Sequence, residues 1–389
     1  MILYLAWFFA SVAICFLTLG APRKTQIKVV TFYLLALGVF IGLGDMLGGY
    51  DRYIYGELFD RMADVTHSGG NPWTTNSFLF FRGEFGYGTL CALLSYITGN
   101  RYVFIFIVTI IIYVLLIRSF QEYVDNVPFA VVMFLGLWMF FSFTYLRQVF
   151  GCTIAWLSIR YIIDRNWKLF LFVWFIAFSF HNSAIIFLPL YFLSVRKYSR
   201  LQVGVVMLLA LVLGLTSLPQ SLFSSYGEIS TNRVNVAGYS ADAGFRWAYL
   251  IEALFFLSVI MVNYREIGNK VKDIVMLNIA LIFCIILLFF VRSENGGRLG
   301  WFFMMGIFCT LSHVCVKGNK VLSKGLFMMI VSFFLFLRIV VGWGVLLSPY
   351  KSFLTDGYRA EDPIHERYEY DIAYDDDKFY RPAFWFLEK

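Results

Sequence analysis

No Walker-type phosphate loop occurs in this sequence, and no G-x-G-x-x-G follows a strand-like run. That argues against nucleotide hydrolysis and against nucleotide-sugar chemistry in a soluble domain, so the energy for any reaction must already reside in an activated substrate. No H-E-x-x-H occurs, and the four histidines lie far apart in sequence. The six cysteines (Cys15, Cys91, Cys152, Cys284, Cys309, Cys315) show no C-x-x-C spacing and sit in or beside apolar runs. Neither a disulfide frame nor a zinc site is indicated, and they read as small hydrophobes. The tail run YDDDKF at 374–379 reads as solvated charge. No metal and no cofactor is expected.

Charge itself is scarce. Of 389 residues 15% are charged and 60% hydrophobic, and the mean hydropathy is +0.72. Apolar runs long enough for membrane helices recur along the chain. The fold class expected is all-α: a polytopic integral membrane protein of about 12 transmembrane or partial helices. It comprises one membrane domain over 1–348 and a polar, acidic tail over 349–389, placed outside. The net charge of +7 would suit nucleic acid, but Lys and Arg cluster between apolar runs. That is the positive-inside pattern, and nucleic acid is not expected as a partner. The first run lacks a preceding basic region and is followed by Arg23 and Lys24. It reads as a retained helix with its N-terminus outside.

Crossings, full or partial, are expected near 2–20, 27–48, 102–117, 128–145, 148–163, 168–180, 182–195, 201–218, 245–263, 274–291, 299–316 and 325–347. Four basic clusters mark the cytoplasmic face: Arg23/Lys24/Lys28, Arg196/Lys197/Arg200, Arg265/Lys270/Lys272 and Lys317/Lys320/Lys324. Segments 50–84, 219–244 and 292–298 then form outer loops. Segment 168–195 has basic residues at both ends yet is too short for two full spans. It is expected to be two half-helices broken at FHNS, with His181 at the outward tip. The same reasoning puts Arg147 at the outward turn between 128–145 and 148–163 and keeps 85–99 in the outer interface. The rival topology lets 85–99 cross, makes 168–195 one long span and places Arg147 inside, stranding Arg165 and Lys168 outside.

The unusual polar residues thereby gather on the outer side: Asp51, Arg52, Glu84, Arg147, His181, Arg292, Glu294 and Arg298. Arg147, next to Gln148, and Arg298, after two glycines, border apolar helices. An arginine fork there suits bidentate phosphate contact. The alternative is that both snorkel, or pair with Asp51, Glu84 or Glu294. His181, with Asn182 and Ser183, is either a hydrogen-bonded structural residue or a base. Glu84 and Asp51 are placed to take a proton or to bind sugar hydroxyls, or are solvated loop charges. Tyr53, Tyr55 and Tyr87 are either interfacial belt residues or platforms for sugar rings.

Five stretches, DRYIYGELF, EFGYGTL, YLRQVFGCTIAW, FIAFSFHNSAIIFLPLYFL and GGRLGWFF, occur in an order and spacing that resemble the EpsG/Wzy-like bacterial polysaccharide polymerases. The resemblance implies a GT-C-like membrane glycosyltransferase of the bacterial inner membrane, active at its periplasmic face. It implies substrates built on undecaprenyl diphosphate, with the growing glycan transferred to the non-reducing end of a new lipid-linked repeat unit. It further implies membrane lipids as surroundings, and a chain-length regulator and a flippase as partners. The residues themselves then suggest the catalytic set Glu84, His181, Arg147 and Arg298, with the arginines on the diphosphate and Glu84 or His181 as base. Asp51, Arg52, Tyr53, Tyr55, Tyr87, Gln148, Asn182 and Arg292 form the substrate-binding set. A lipid-linked oligosaccharide flippase and a glycan ligase are the competing readings. No internal repeat of the kind a transporter would show is visible.

Overall fold

The computed structural model describes the chain apart from residues 46–49, 194, 230–241, 348–349, 356–380 and 388–389. YDDDKF and much of the 219–244 loop lie outside the described residues. The principal helices are α1 (Ile2–Thr18), α2 (Arg23–Gly42), α3 (Tyr50–His67), α4 (Phe85–Ser95), α5 (Arg101–Tyr123), α6 (Val127–Leu137) and α7 (Leu146–Leu157). After these come α8 (Trp167–Phe180), α9 (Arg200–Gly214), α10 (Trp247–Val262), α11 (Val271–Phe289), α12 (Met304–Cys315) and α13 (Ser323–Gly342).

Among the described residues five helical stretches are long and apolar enough to cross a membrane: α2, α5, α11, Gly296–Cys315 and α13. A bent pair, α9 with Leu218–Ser224, adds a sixth if it is counted as one span. The remaining apolar helices, α1, α6, α8, Asn182–Phe192 and α10, are shorter. This is a polytopic helical protein with fewer full-length spans than the apolar runs suggest. The shortfall has a local cause, because several runs break at polar apices partway along.

Each break is the tip of a hairpin whose two ends are pinned together. At the base of the first, 127–163, the Arg160 amide donates to the Tyr123 hydroxyl at the end of α5, 3.0 Å away. The second, 165–193, is closed by Arg165 donating to the Tyr191 carbonyl at 3.0 Å and the Tyr191 hydroxyl donating to the Arg165 carbonyl at 2.9 Å. At the third, 271–315, Asp125 meets Lys272 at 2.9 Å and His313 at 3.3 Å. All three bases therefore lie on the basic side, and their tips, near Arg147, His181 and Arg298, point to the other. Asparagine side chains cap the starts of α6 and α8, Asn126 accepting from the Phe129 amide and Asn166 from the Leu169 amide.

α2 and α5 run antiparallel. Arg23, at the start of α2, donates to the carbonyls of Gln121 and Val124 at the end of α5. Gly42, at the other end, abuts Phe106 and Thr109 near the start of α5. Segment 43–100 thus begins and ends on the side opposite the basic clusters, and α4, with 11 residues, is too short to span a bilayer as a helix. Segment 50–84 is not the loop the sequence suggests. It holds α3 and the short turns Pro72–Thr74, Asn76–Phe80 and Arg82–Glu84. The helix is stabilised by burying Tyr55, Phe59, Met62 and Ala63 along one face, with Phe59 stacked on Phe104 of α5.

The hydrophobic core runs through α6, every residue of which is buried. Gly136 lets the Ser332 backbone of α13 approach so closely that a Cβ would sit 2.4 Å from its carbonyl oxygen. The described parts of the tail are not free in solvent. Phe353 donates to the Leu43 carbonyl at 2.7 Å, and the Trp385 indole donates to the Ser95 carbonyl at 2.7 Å. The Trp385 ring fills the space over Gly99 and stacks on His67.

Candidate active site at the hairpin apices

Glu84 is the hub. Its position follows from a tight helical turn, Arg82–Glu84, leading into α4, with α8 packed alongside. Gly86 makes that packing possible: a Cβ there would lie 2.3 Å from the Ser179 hydroxyl. The carboxylate is fully buried. One oxygen accepts from the Arg147 guanidinium, and the other accepts from the Asn182 amide at 3.1 Å. A buried carboxylate needs such partners, because an unpaired one would carry the full desolvation cost.

Arg147 stands at the start of α7, just after the helix has broken at Tyr145 (φ −87°, ψ 50°). Its guanidinium is walled by the rings of Tyr55 at 5.1 Å, Phe81 at 5.5 Å and Phe80 at 5.9 Å. The side chain is 11% exposed, and its Nε has no hydrogen-bond partner. The guanidinium is thus enclosed by aromatic rings and one carboxylate, with one donor left unsatisfied.

His181 ends α8 in extended conformation (φ −155°, ψ 123°), which breaks the apolar run as the FHNS stretch predicts. Its Nδ1 accepts from the Ser183 amide at 3.2 Å and lies 2.6 Å from the Ser183 hydroxyl. Nδ1 acting as acceptor places the neutral-ring proton on Nε2, which faces Glu84 at 3.8 Å. Gly151 brings the first two hairpins together here, since a Cβ on it would sit 3.2 Å from the His181 Cβ and 3.3 Å from the Ala177 carbonyl.

The third hairpin joins through Gln148. Its amide donates to the Arg298 carbonyl at 3.1 Å and approaches the Ser183 hydroxyl at 3.4 Å. Arg298 lies over the Tyr145 ring at 4.1 Å and donates to the Tyr145 hydroxyl at 3.0 Å. Among the described residues it has no carboxylate partner within ion-pair distance, and it is only half-buried. Asp51, near the start of α3, likewise makes no hydrogen bond or ion pair among the described residues, yet it feels both arginines. Burial raises its carboxyl above the ordinary range, while Arg298 and then Arg147 draw it back down.

Glu84, Arg147, His181, Gln148, Asn182, Arg298, Asp51 and Tyr55 thus converge. Tyr87 is buried behind Tyr55, ring centroids 5.7 Å apart, and its hydroxyl has no partner. Four residues named from sequence sit elsewhere. Arg52 is fully buried and donates to the carbonyls of Ile41, Gly42 and Gly44 at 2.8–3.0 Å, which closes the end of α2. Tyr53 donates to Glu57 at 3.0 Å and lies under Arg101, in the cluster around the buried Asp60–Arg101 pair. Arg292 pairs with Asp242 and donates to the Leu215 carbonyl at 3.0 Å. Among the described residues Glu294 contributes only its carbonyl, to Tyr249 and Arg246. Two charged residues that the sequence reading passed over, Glu252 and Arg338, interrupt the apolar runs of α10 and α13. A lone charge in an apolar helix was the signal that could have found them.

The EpsG family profile matches residues 28–352 of this chain. No curated protein and no solved structure matches it.

Proposed function

This chain belongs to the EpsG family, and from that premise we propose that it lengthens a surface polysaccharide on undecaprenyl diphosphate, on the face where the hairpin tips meet. Membership gives it a polysaccharide-polymerase type of function within the membrane. The observation that carries the finer reading is the pair of arginines at one site, only one of them, among the described residues, neutralised by a carboxylate. Guanidinium groups recessed among aromatic rings suit a diphosphate, and their place among apolar helices suits one carried on a lipid.

The proposed step runs as follows. The hydroxyl oxygen at the non-reducing end of a lipid-linked repeat unit attacks the anomeric carbon of the growing glycan. The bond from that carbon to the diphosphate oxygen breaks, and its electron pair leaves on the diphosphate. Arg298 and Arg147 stabilise that developing charge. The proton from the attacking hydroxyl passes to Asp51. Glu84 is less suited to this, because each of its oxygens already holds a partner. With His181 and Asn182, Glu84 fixes the arginine in place, and Tyr55 borders the sugar.

A base must be ionised to work. Activity is therefore expected to rise with pH as Asp51 loses its proton, with the limb lying above the ordinary carboxylate value of about 3.9. Asp51→Asn is expected to remove that limb and lower the rate by about 10²–10⁴. A pH–rate profile of polymerisation in membranes checks this, and an unchanged limb in the variant would assign the proton to another group. The function as a whole is tested by a gel ladder of lipid-linked and surface glycan from cells with and without the gene. Loss of the ladder with single units still exported supports polymerisation. Full-length polymer stranded on its carrier would point to a ligase, and single units trapped on the cytoplasmic face to a flippase.

A further inference from the structure

Glu252 and Arg338 occupy two helices that meet at one end and part at the other. At the basic side, Lys324 of α13 reaches Asn263 at 2.5 Å and Glu266 at 3.0 Å, just past α10, and Phe255 of α10 lies near Phe327 of α13. Towards the opposite side the partners differ. α10 runs to the Arg298 loop, where Tyr249 packs on Gly297 and donates to the Glu294 carbonyl at 3.0 Å. α13 runs instead to α1 and the first hairpin, where Phe336 contacts Phe8 and Phe140 at 5.0 Å each. The two helices therefore bound a wedge that is closed on the basic side and open at the level of Arg298.

Both arms carry a charge into that wedge. Glu252 lies three residues from Phe255, on the face of α10 that meets α13, and one turn from Tyr249. Arg338 is the charged group that acts on Glu252, yet the two form no ion pair. Arg338 is exposed, in line with the exposed apolar stripe of Phe327, Ile330, Phe334 and Val341. A guanidinium in a lipid-facing stripe costs free energy unless an anion or the interface receives it. The stripe beneath it is a surface for acyl or prenyl chains.

We propose that this wedge is the lateral docking site for the lipid diphosphate substrate, with Arg338 receiving the diphosphate and the stripe of α13 receiving the chain. This rests on the polymerase reading above. Charge complementarity selects a phosphate-bearing lipid, and continuity through Tyr249 and Gly297 leads its headgroup to Arg298. Glu252 borders the same wedge from α10 without an ion pair to Arg338, which leaves the guanidinium to the diphosphate.

The test is binding of a polyprenyl diphosphate, with phosphatidylglycerol as the competing anionic lipid, followed by native mass spectrometry of the full chain. Arg338→Gln is expected to lower polyprenyl diphosphate affinity at least tenfold and leave phosphatidylglycerol occupancy unchanged. Arg338→Lys is expected to recover part of the loss, which guards against a folding artefact, and Glu252→Gln to retain or raise affinity. Unchanged diphosphate binding in Arg338→Gln would overturn the proposal, since Arg338 would then only snorkel. Parallel loss of both lipids would also overturn it, marking an annular lipid site. If the unmodified protein binds no polyprenyl diphosphate, the polymerase reading itself fails. If it binds and only the Arg338 variants are indifferent, the docking site alone fails.

Discussion

Arg298→Ala is expected to give a folded protein that makes almost no polymer. The side chain makes one hydrogen bond, to the Tyr145 hydroxyl, and lies over that ring. A cation–π contact of this kind contributes about 0.5–2 kcal/mol, so its loss should shift thermal unfolding only slightly. The rate should suffer far more. Removing one preorganised group that meets transition-state charge costs about 10²–10³ in turnover. Arg298→Lys keeps the charge but not the fork, and should fall between the two. Chain-length distribution on gels, at matched protein levels, is the readout. Polymer of normal length and amount from Arg298→Ala would remove the arginine from the chemistry.

The Glu84–Arg147 pair should behave differently, because here structure and chemistry share the same atoms. Arg147→Ala leaves a fully buried carboxylate with only the Asn182 amide and the more distant His181 beside it. Breaking a buried pair from one side typically costs about 3–5 kcal/mol. Low protein levels and a lowered unfolding temperature in detergent are expected, together with loss of polymer. The informative variant is the double one. Glu84→Leu with Arg147→Met replaces the pair by apolar volume and should regain most of the stability. It should nevertheless lose activity, because the Arg147 guanidinium that meets the developing charge is gone. A double variant that is both stable and active would reduce the pair to scaffolding.

The hairpins were legible because charge marks their bases and an interrupted apolar run marks their tips. Arg165 and Arg196, bracketing a segment too short for two spans, already implied the turn at His181. The gathering of Arg147, His181 and Arg298 followed from the same argument. α3 was not legible as a helix, because its face is held by burial against α5 rather than by a strongly apolar sequence. Arg52 and Arg147 look alike in the chain, each next to aromatic residues. Only the fold shows that one is spent on the carbonyls ending α2 while the other faces the site. Glu252 and Arg338 are 86 positions apart, and nothing local to either reveals that their helices bound one wedge.

The contact between Tyr123 and Arg160 also fixes a depth. Counting from it, Arg147 lies 13 residues away, through the short helix Ile159–Ile163 and α7, and Arg101 lies 22 residues away along α5. At about 1.5 Å per residue the two heights differ by ~13 Å. On the proposed function, the reaction centre lies ~13 Å closer to the basic side than Arg101, a large fraction of a hydrocarbon layer of about 30 Å. A phosphate headgroup must descend from its equilibrium plane to arrive there, or the bilayer must dimple around the protein. Acyl-chain length in the surrounding leaflet therefore becomes a kinetic variable: thin membranes shorten the descent, and thick ones turn it into a barrier.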